Sequence, residues 1–223
     1  MEDELECTYD TQPPKWDVFD LYIWKFRSER RGGGWPYLYR FKDSWVVYHK
    51  DQIKREASTH GFPAELLAGV CYVEVGGDPH IIDTLGLIGR AFDYSGPDWV
   101  DENMTITNRP YRTSFGSVSM QLATAANTLG KDATTMSYSE LRSLATCLES
   151  DVFNISLVSD HLVEIIQHDN LGSTSSEISM DDVRIIGARY NRGLGLSLES
   201  INRNTSYGDF IVEKWDHLSG LLV

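Results

Sequence analysis

Beyond about residue 50, apolar positions recur with helical spacing along most of the chain. Between Pro63 and Gly77, Leu67, Val70 and Cys71 stand at i, i+3 and i+4, and the same stripe carries Glu74 at i+7. Pro63 suits a first helical turn, Glu65 complements the positive helix start, and Gly76-Gly77 stops the helix. Asp51–His60 predicts a preceding helix ended by Gly61, and Ser119–Leu129 a short one closed by Gly130. Ser137 and Glu140 form a capping box ahead of a stripe of Leu141, Leu144, Ala145 and Leu148. Ile155, Val158, Leu162, Ile165 and Ile166 mark a further helix. Val183, Ile186, Gly187 and Tyr190 mark another, ending near Arg192-Gly193, and Ile211, Trp215, Leu218 and Leu222 a terminal one.

Two stretches break this pattern. Residues 16–48 are rich in aromatic side chains, are interrupted by Gly32-Gly33-Gly34 and show no clean period, which predicts a short helix and then an extended segment. Residues 76–113 are rich in Gly, Pro, Asp and Asn, a long irregular loop of the kind that often carries function. About seven helices, little strand signal and no internal repeat predict a mainly α fold. A compact helical domain is expected over residues 49–223, preceded by an aromatic-rich N-terminal extension, residues 1–48, packed on it. Trp24, Trp35, Tyr37 and Tyr39 of that extension serve either as a core patch or as faces for stacking on sugars.

A hydrophobic content of 41% supports a sizeable core. The net charge of -13 disfavours nonspecific nucleic-acid binding and adhesion to anionic surfaces, and leaves room for a basic protein partner. No apolar run reaches the roughly 18 residues of a membrane span. The acidic start, Met1 to Glu6, lacks the basic and apolar regions of a secretory signal, so synthesis in the cytoplasm without a Sec signal is expected. Cys7, Cys71 and Cys147 are too few for a disulfide framework, and the histidines do not pair at metal-ligand spacing, so no metal or cofactor is expected.

The candidate chemistry starts from Glu74. A carboxyl on the core-facing side of a helix resists ionisation, and a retained proton is what a general acid requires. The same Glu can also turn outward or meet an arginine. Cys71 with His80 offers a thiol and a base, but Cys71 shares its stripe with Leu67 and Val70, which points to a buried thiol.

Four segments, in order, carry a resemblance. They are the apolar helix delivering Glu74; Ser114-Phe-Gly-Ser-Val-Ser-Met-Gln-Leu122 with Ala123-Thr-Ala-Ala126 after it; Leu148-Glu-Ser-Asp-Val-Phe-Asn-Ile155, continuing to Leu162; and Ala188-Arg-Tyr-Asn-Arg-Gly193. Together they resemble the lysozyme-like lytic transglycosylases and the related goose-type lysozymes, over about residues 50–222. The resemblance implies cleavage of the β-1,4 bond between N-acetylmuramic acid and N-acetylglucosamine in peptidoglycan, with Glu74 as the general acid. It implies that Met120 and Gln121, in the block opened by Ser114, line the glycan cleft. It also implies that Gly116 and Ser119 keep backbone close to the sugar, and that Tyr190 and Asn191 support the acid and bind substrate. The chain departs from the family at Val75, where Ser is usual, at Ser117-Val118-Ser119 in place of a second Gly, and in the length of the loop after Glu74.

Hydrolysis needs a second acid to position water, whereas a lytic transglycosylase needs only the Glu and yields a 1,6-anhydro product. Asp83, nine residues after Glu74, resembles the Asp that follows the catalytic Glu in phage-type lysozymes; it can equally be a solvated loop charge. A wall-cutting enzyme without a secretory signal is expected to reach the periplasm by another route. It would be an antibacterial effector, a toxin delivered by a dedicated machine such as type VI secretion and countered by a periplasmic immunity protein, or a lysin released through a pore. A non-catalytic peptidoglycan-binding module of the same fold, and a cysteine amidase using Cys71, are the competing readings.

Overall fold

The computed structural model describes Cys7, residues 12–76, residues 114–172 and residues 177–223. The chain is mainly α-helical, with ten α-helices and one two-stranded sheet among the described residues. Its contacts divide it into two discontinuous units: residues 1–38 with 76–154, and residues 39–75 with 155–223. The boundary expected at residue 48 falls inside a helix.

The first unit begins with a helical hairpin. Helix α1 (Val18–Phe26) opens on a capping box in which Asp17 accepts from the amides of Phe19 and Asp20 and Asp20 accepts from that of Asp17. A 3-10 turn at Glu29–Arg31 and Gly32 (φ 85°) reverse the chain into α2 (Gly34–His60). Trp16 and Trp24 of the first arm meet Tyr37 and Trp35 of the second at ring separations of 5.9 and 5.6 Å, and Tyr37 donates to Asp20 at 2.6 Å. Further along, β1 (Ser114–Phe115) and β2 (Met120–Gln121) form a minimal antiparallel hairpin. It leads into α4 (Leu122–Thr128) and α5 (Tyr138–Leu148), the latter opened by the Ser137/Glu140 capping box. Leu141, Leu144, Ala145 and Leu148 are buried along α5 as their spacing predicts. Cys7 and Cys147 are joined by a disulfide.

The second unit holds most of α2 and of α6 (Asp151–His168), together with α3 (Ala64–Glu74), α7 (Met180–Arg192), α8 (Leu198–Asn202), α9 (Ser206–Glu213) and α10 (Trp215–Leu221). Two close approaches set its geometry. A Cβ on Gly187 of α7 would come within 2.6 Å of Gly208 Cα on α9, and one on Gly208 would overlap the backbone of Arg184. A Cβ on Gly69 of α3 would overlap the side chain of Ile211 on α9. Helix α9 is thus drawn in against both α7 and α3.

The structure corrects three of the expected elements. Residues 35–48 are not extended but belong to α2, one helix of 27 residues. Pro36 is tolerated near its start, where an amide is left over anyway. Its buried positions, Leu38, Lys42, Trp45, Val46, His49, Gln52, Ile53 and Ala57, keep helical spacing, but Lys42, His49 and Gln52 interrupt the apolar signal. The helix expected from Ser119 starts at Leu122, because Met120 and Gln121 pair in the sheet. The terminal helix is two helices, broken at Lys214 (φ -90°, ψ 0°). None of the described helices is long and apolar enough to cross a membrane.

Candidate active site

Glu74 is the last residue of α3, half-buried, with Val75 (1% exposed) as the cap and Gly76 (φ 77°) turning the chain away. The helix ends where the stripe predicts, so the carboxyl stays on the face shared with buried Val70 and Cys71. Two side chains from other helices of the same unit define its surroundings.

Tyr207 of α9 donates from its hydroxyl to Glu74 Oε1 at 2.8 Å. Lys42 of α2 is 6% exposed and donates from Nζ to the carbonyl oxygens of Tyr72, Val73 and Val75, at 2.6, 2.9 and 2.5 Å. Carbonyls at a helix C-terminus have no intrahelical donor, so Lys42 is a cap supplied from another helix, and it pins the backbone on both sides of Glu74. An ammonium has three N–H donors. All three are spent on carbonyls, so Lys42 brings positive charge to Glu74 without forming an ion pair with it.

Burial raises the Glu74 carboxyl above the ordinary glutamate range, while the hydrogen bond from Tyr207 and the charge of Lys42 pull it part of the way back. Burial lowers Lys42 to about 8, against the opposing effect of Glu74. Tyr190 and Tyr207 are pushed well above the usual phenol value, by burial first and then by the charge of Glu74. Both rings therefore remain neutral phenols. Since Tyr207 donates to Oε1, the proton of the neutral acid resides on Oε2, the oxygen left to donate it to an acceptor.

Of the residues singled out in the sequence, Tyr190 joins Glu74 here: its ring centroid lies 6.0 Å from that of Tyr207 and 6.0 Å from that of His161. The phenol bonded to the acid belongs to Tyr207. Asn191 is exposed at the end of α7. Arg189, between Ala188 and Tyr190, turns inward and binds Asp169 through Nε at 2.7 Å and Nη2 at 2.8 Å. Cys71 is fully buried.

The Met-Gln block lies in the first unit. Ser114 pairs with Gln121 and Phe115 with Met120, across a turn closed by the Ser119 amide on Gly116 O at 3.1 Å. Gly116 (φ 79°) and Ser119 (φ 45°) are both left-handed. A Cβ on Gly116 would overlap Asn154, whose Nδ2 donates to Phe115 O at 3.2 Å and Leu148 O at 2.9 Å. The turn and Asn154 therefore account for the glycine. Met120 is buried, Ser114 half-buried, and the side chains of Ser119 and Gln121 are exposed. Asp83 lies outside the described residues.

Lys42 and Tyr207 escaped the sequence reading, though each had a signal. Lys42 falls on the buried stripe of α2, and Tyr207 lies four residues before buried Ile211. Among the described residues no group of three or more His, Cys, Asp or Glu side chains is placed to hold a metal ion. No family model matches the chain, and no curated protein or solved structure matches it either.

Proposed function

We propose that the chain has a lysozyme-like fold with an N-terminal extension and cleaves peptidoglycan glycan strands at the β-1,4 bond between N-acetylmuramic acid and N-acetylglucosamine. Glu74 is the general acid that protonates the leaving glycosidic oxygen. The observation that carries this reading is the environment of Glu74: a desolvated carboxyl, raised in pKa, hydrogen-bonded on one oxygen by Tyr207 and seated on a helix end fixed by Lys42. Tyr190 and Asn191, with Ser114, Gly116, Ser119, Met120 and Gln121, are the proposed substrate contacts. The site of action is the periplasm or cell wall, reached as a delivered antibacterial effector or by lysis, with an immunity protein over the cleft as its counterpart.

The test is mass analysis of purified peptidoglycan digested by the wild type and by Glu74→Gln. Loss of the acid is expected to slow cleavage by about 10²–10⁴-fold. Anhydro-muropeptides would assign a lytic transglycosylase, and reducing-end products a hydrolase with Asp83 the first second-acid candidate. Binding to peptidoglycan without cleavage would overturn the enzymatic reading in favour of a binding module.

A further inference from the structure

Helix α1 has an apolar sequence and no buried residue. Asp20 and Trp24 face the second arm of the hairpin through Tyr37 and Trp35. On the opposite side Phe19, Tyr22 and Phe26, at i, i+3 and i+7, are 78, 62 and 75% exposed, and the Tyr22 and Phe26 rings lie 5.5 Å apart. Val18 and Trp35 extend the exposed apolar surface. An exposed aromatic stripe of this kind is a candidate interaction surface.

Charge says what it meets. The chain carries a net charge of -13, yet residues 21–40 hold five Lys or Arg and a single acid, Glu29. Four of those cations, Lys25, Arg27, Arg30 and Arg31, are exposed between the end of α1 and the tip of the hairpin, next to the stripe. Polar groups able to read a sugar are scarce on this helix. Asp20 already accepts from Tyr37 and from its own cap, and Phe19, Phe26 and Val18 have no hydrogen-bonding atom in their side chains. Aromatic rings beside clustered Lys and Arg suit the boundary between lipid headgroups and acyl chains, where the rings bury and the cations meet anionic headgroups.

We propose that the α1 hairpin docks on an anionic lipid surface, inserting Phe19, Tyr22 and Phe26 at the headgroup level with Lys25, Arg27, Arg30 and Arg31 against the phosphates. The surface lies wholly within residues 18–35 and uses none of the groups around Glu74.

The experiment is co-sedimentation of the full chain with phosphatidylcholine vesicles and with phosphatidylcholine–phosphatidylglycerol vesicles, at low and high salt. Binding is expected for the anionic vesicles alone and is expected to weaken with salt. The charge-reversed variant R27E/R30E/R31E is expected to lose about 100-fold or more in affinity. The ring variant F19Q/Y22Q/F26Q should lose binding while keeping the thermal midpoint, because those rings are exposed. Failure of the wild type to sediment, or equal sedimentation of wild type and both variants, would overturn the proposal. So would capture by insoluble peptidoglycan, through the same rings, in the absence of vesicle binding; that result would assign the face to glycan.

Discussion

Glu74 and Asp169 are two partly or fully buried carboxylates in the same helical unit, and they are held in opposite ways. The Asp169 side chain is 6% exposed and receives Arg189 on both oxygens, with His168 on one of them at 3.0 Å. Burial pushes its pKa up, but the hydrogen bonds and charges of Arg189 and His168 outweigh burial, and the carboxyl falls below the ordinary aspartate range. Glu74 also has a cation beside it. There, however, the donors of Lys42 are consumed by carbonyls, the remaining partner is a neutral phenol, and burial prevails. Proximity of opposite charge is thus a poor guide to whether a buried acid keeps its proton. What matters is where the cation's N–H groups point. One arrangement holds the carboxyl ionised, and the other favours its protonated form.

Breaking each site should separate these roles. The largest effect on stability is expected for Arg189→Met, which leaves Asp169 buried without its partner and should cost about 3–5 kcal/mol in urea melts. Glu74→Gln should leave stability unchanged or raised, while slowing the proposed cleavage by about 10²–10⁴-fold. The two sites also differ in sign with pH. The depressed pKa of Asp169 gives stability that is present above its ordinary 3.8 and lost as pH falls through the folded value. The raised pKa of Glu74 makes the folded state bind the proton more tightly than the unfolded chain. Its contribution is therefore greatest below the ordinary 4.5 and is lost as pH rises through the folded value. Glu74→Gln should remove that loss on rising pH and leave the Asp169 loss on falling pH intact. A loss on rising pH that persists in the variant would show that another group produces it.

A smaller effect is expected for Lys42→Met, which strands carbonyls at the end of α3 and should cost about 1–3 kcal/mol. Without the ammonium, the Glu74 carboxyl moves further up, so the high-pH limb of the proposed cleavage should shift to higher pH. A limb that stays in place would confine Lys42 to the backbone. The mildest variant is Tyr207→Phe, at about 1 kcal/mol. It should move the same limb in the same direction, because the hydrogen bond it removes favours the ionised form. A shift to lower pH in either variant would break the comparison with Asp169.

The helices of the second unit were legible where one type of residue filled the buried stripe. Leu67, Val70 and Cys71 located α3, and Val183 and Ile186 located α7, where buried Arg189 did not mask the apolar spacing ahead of it. Helix α2 was hidden over its first half for the opposite reason: Lys42 occupies a core position there, because its work is to cap another helix. The break at Lys214 was hidden because two helices meeting at a short joint keep nearly the same apolar period. Glu74 stood out as a charge on an apolar stripe. Tyr207 did not, since an aromatic residue ahead of Ile211 reads as ordinary core until its hydroxyl is placed in space. The separation of the Met-Gln turn from Glu74 into different units was likewise beyond a one-dimensional pattern, because each unit is assembled from two stretches of chain.

The contact of Gly187 with Gly208 gives this chain an unusual mutational weakness. Tyr190 lies one turn after the first glycine and Tyr207 immediately before the second, so the gap between two backbones sets where the phenol on Glu74 can stand. A single methyl group at either position would act as a shim between the helices. Such a chain would retain Glu74, Lys42, Tyr190 and Tyr207 and still lose their alignment. Inventories of polar residues would rate it intact, and the lesion would be written where two glycine backbones meet.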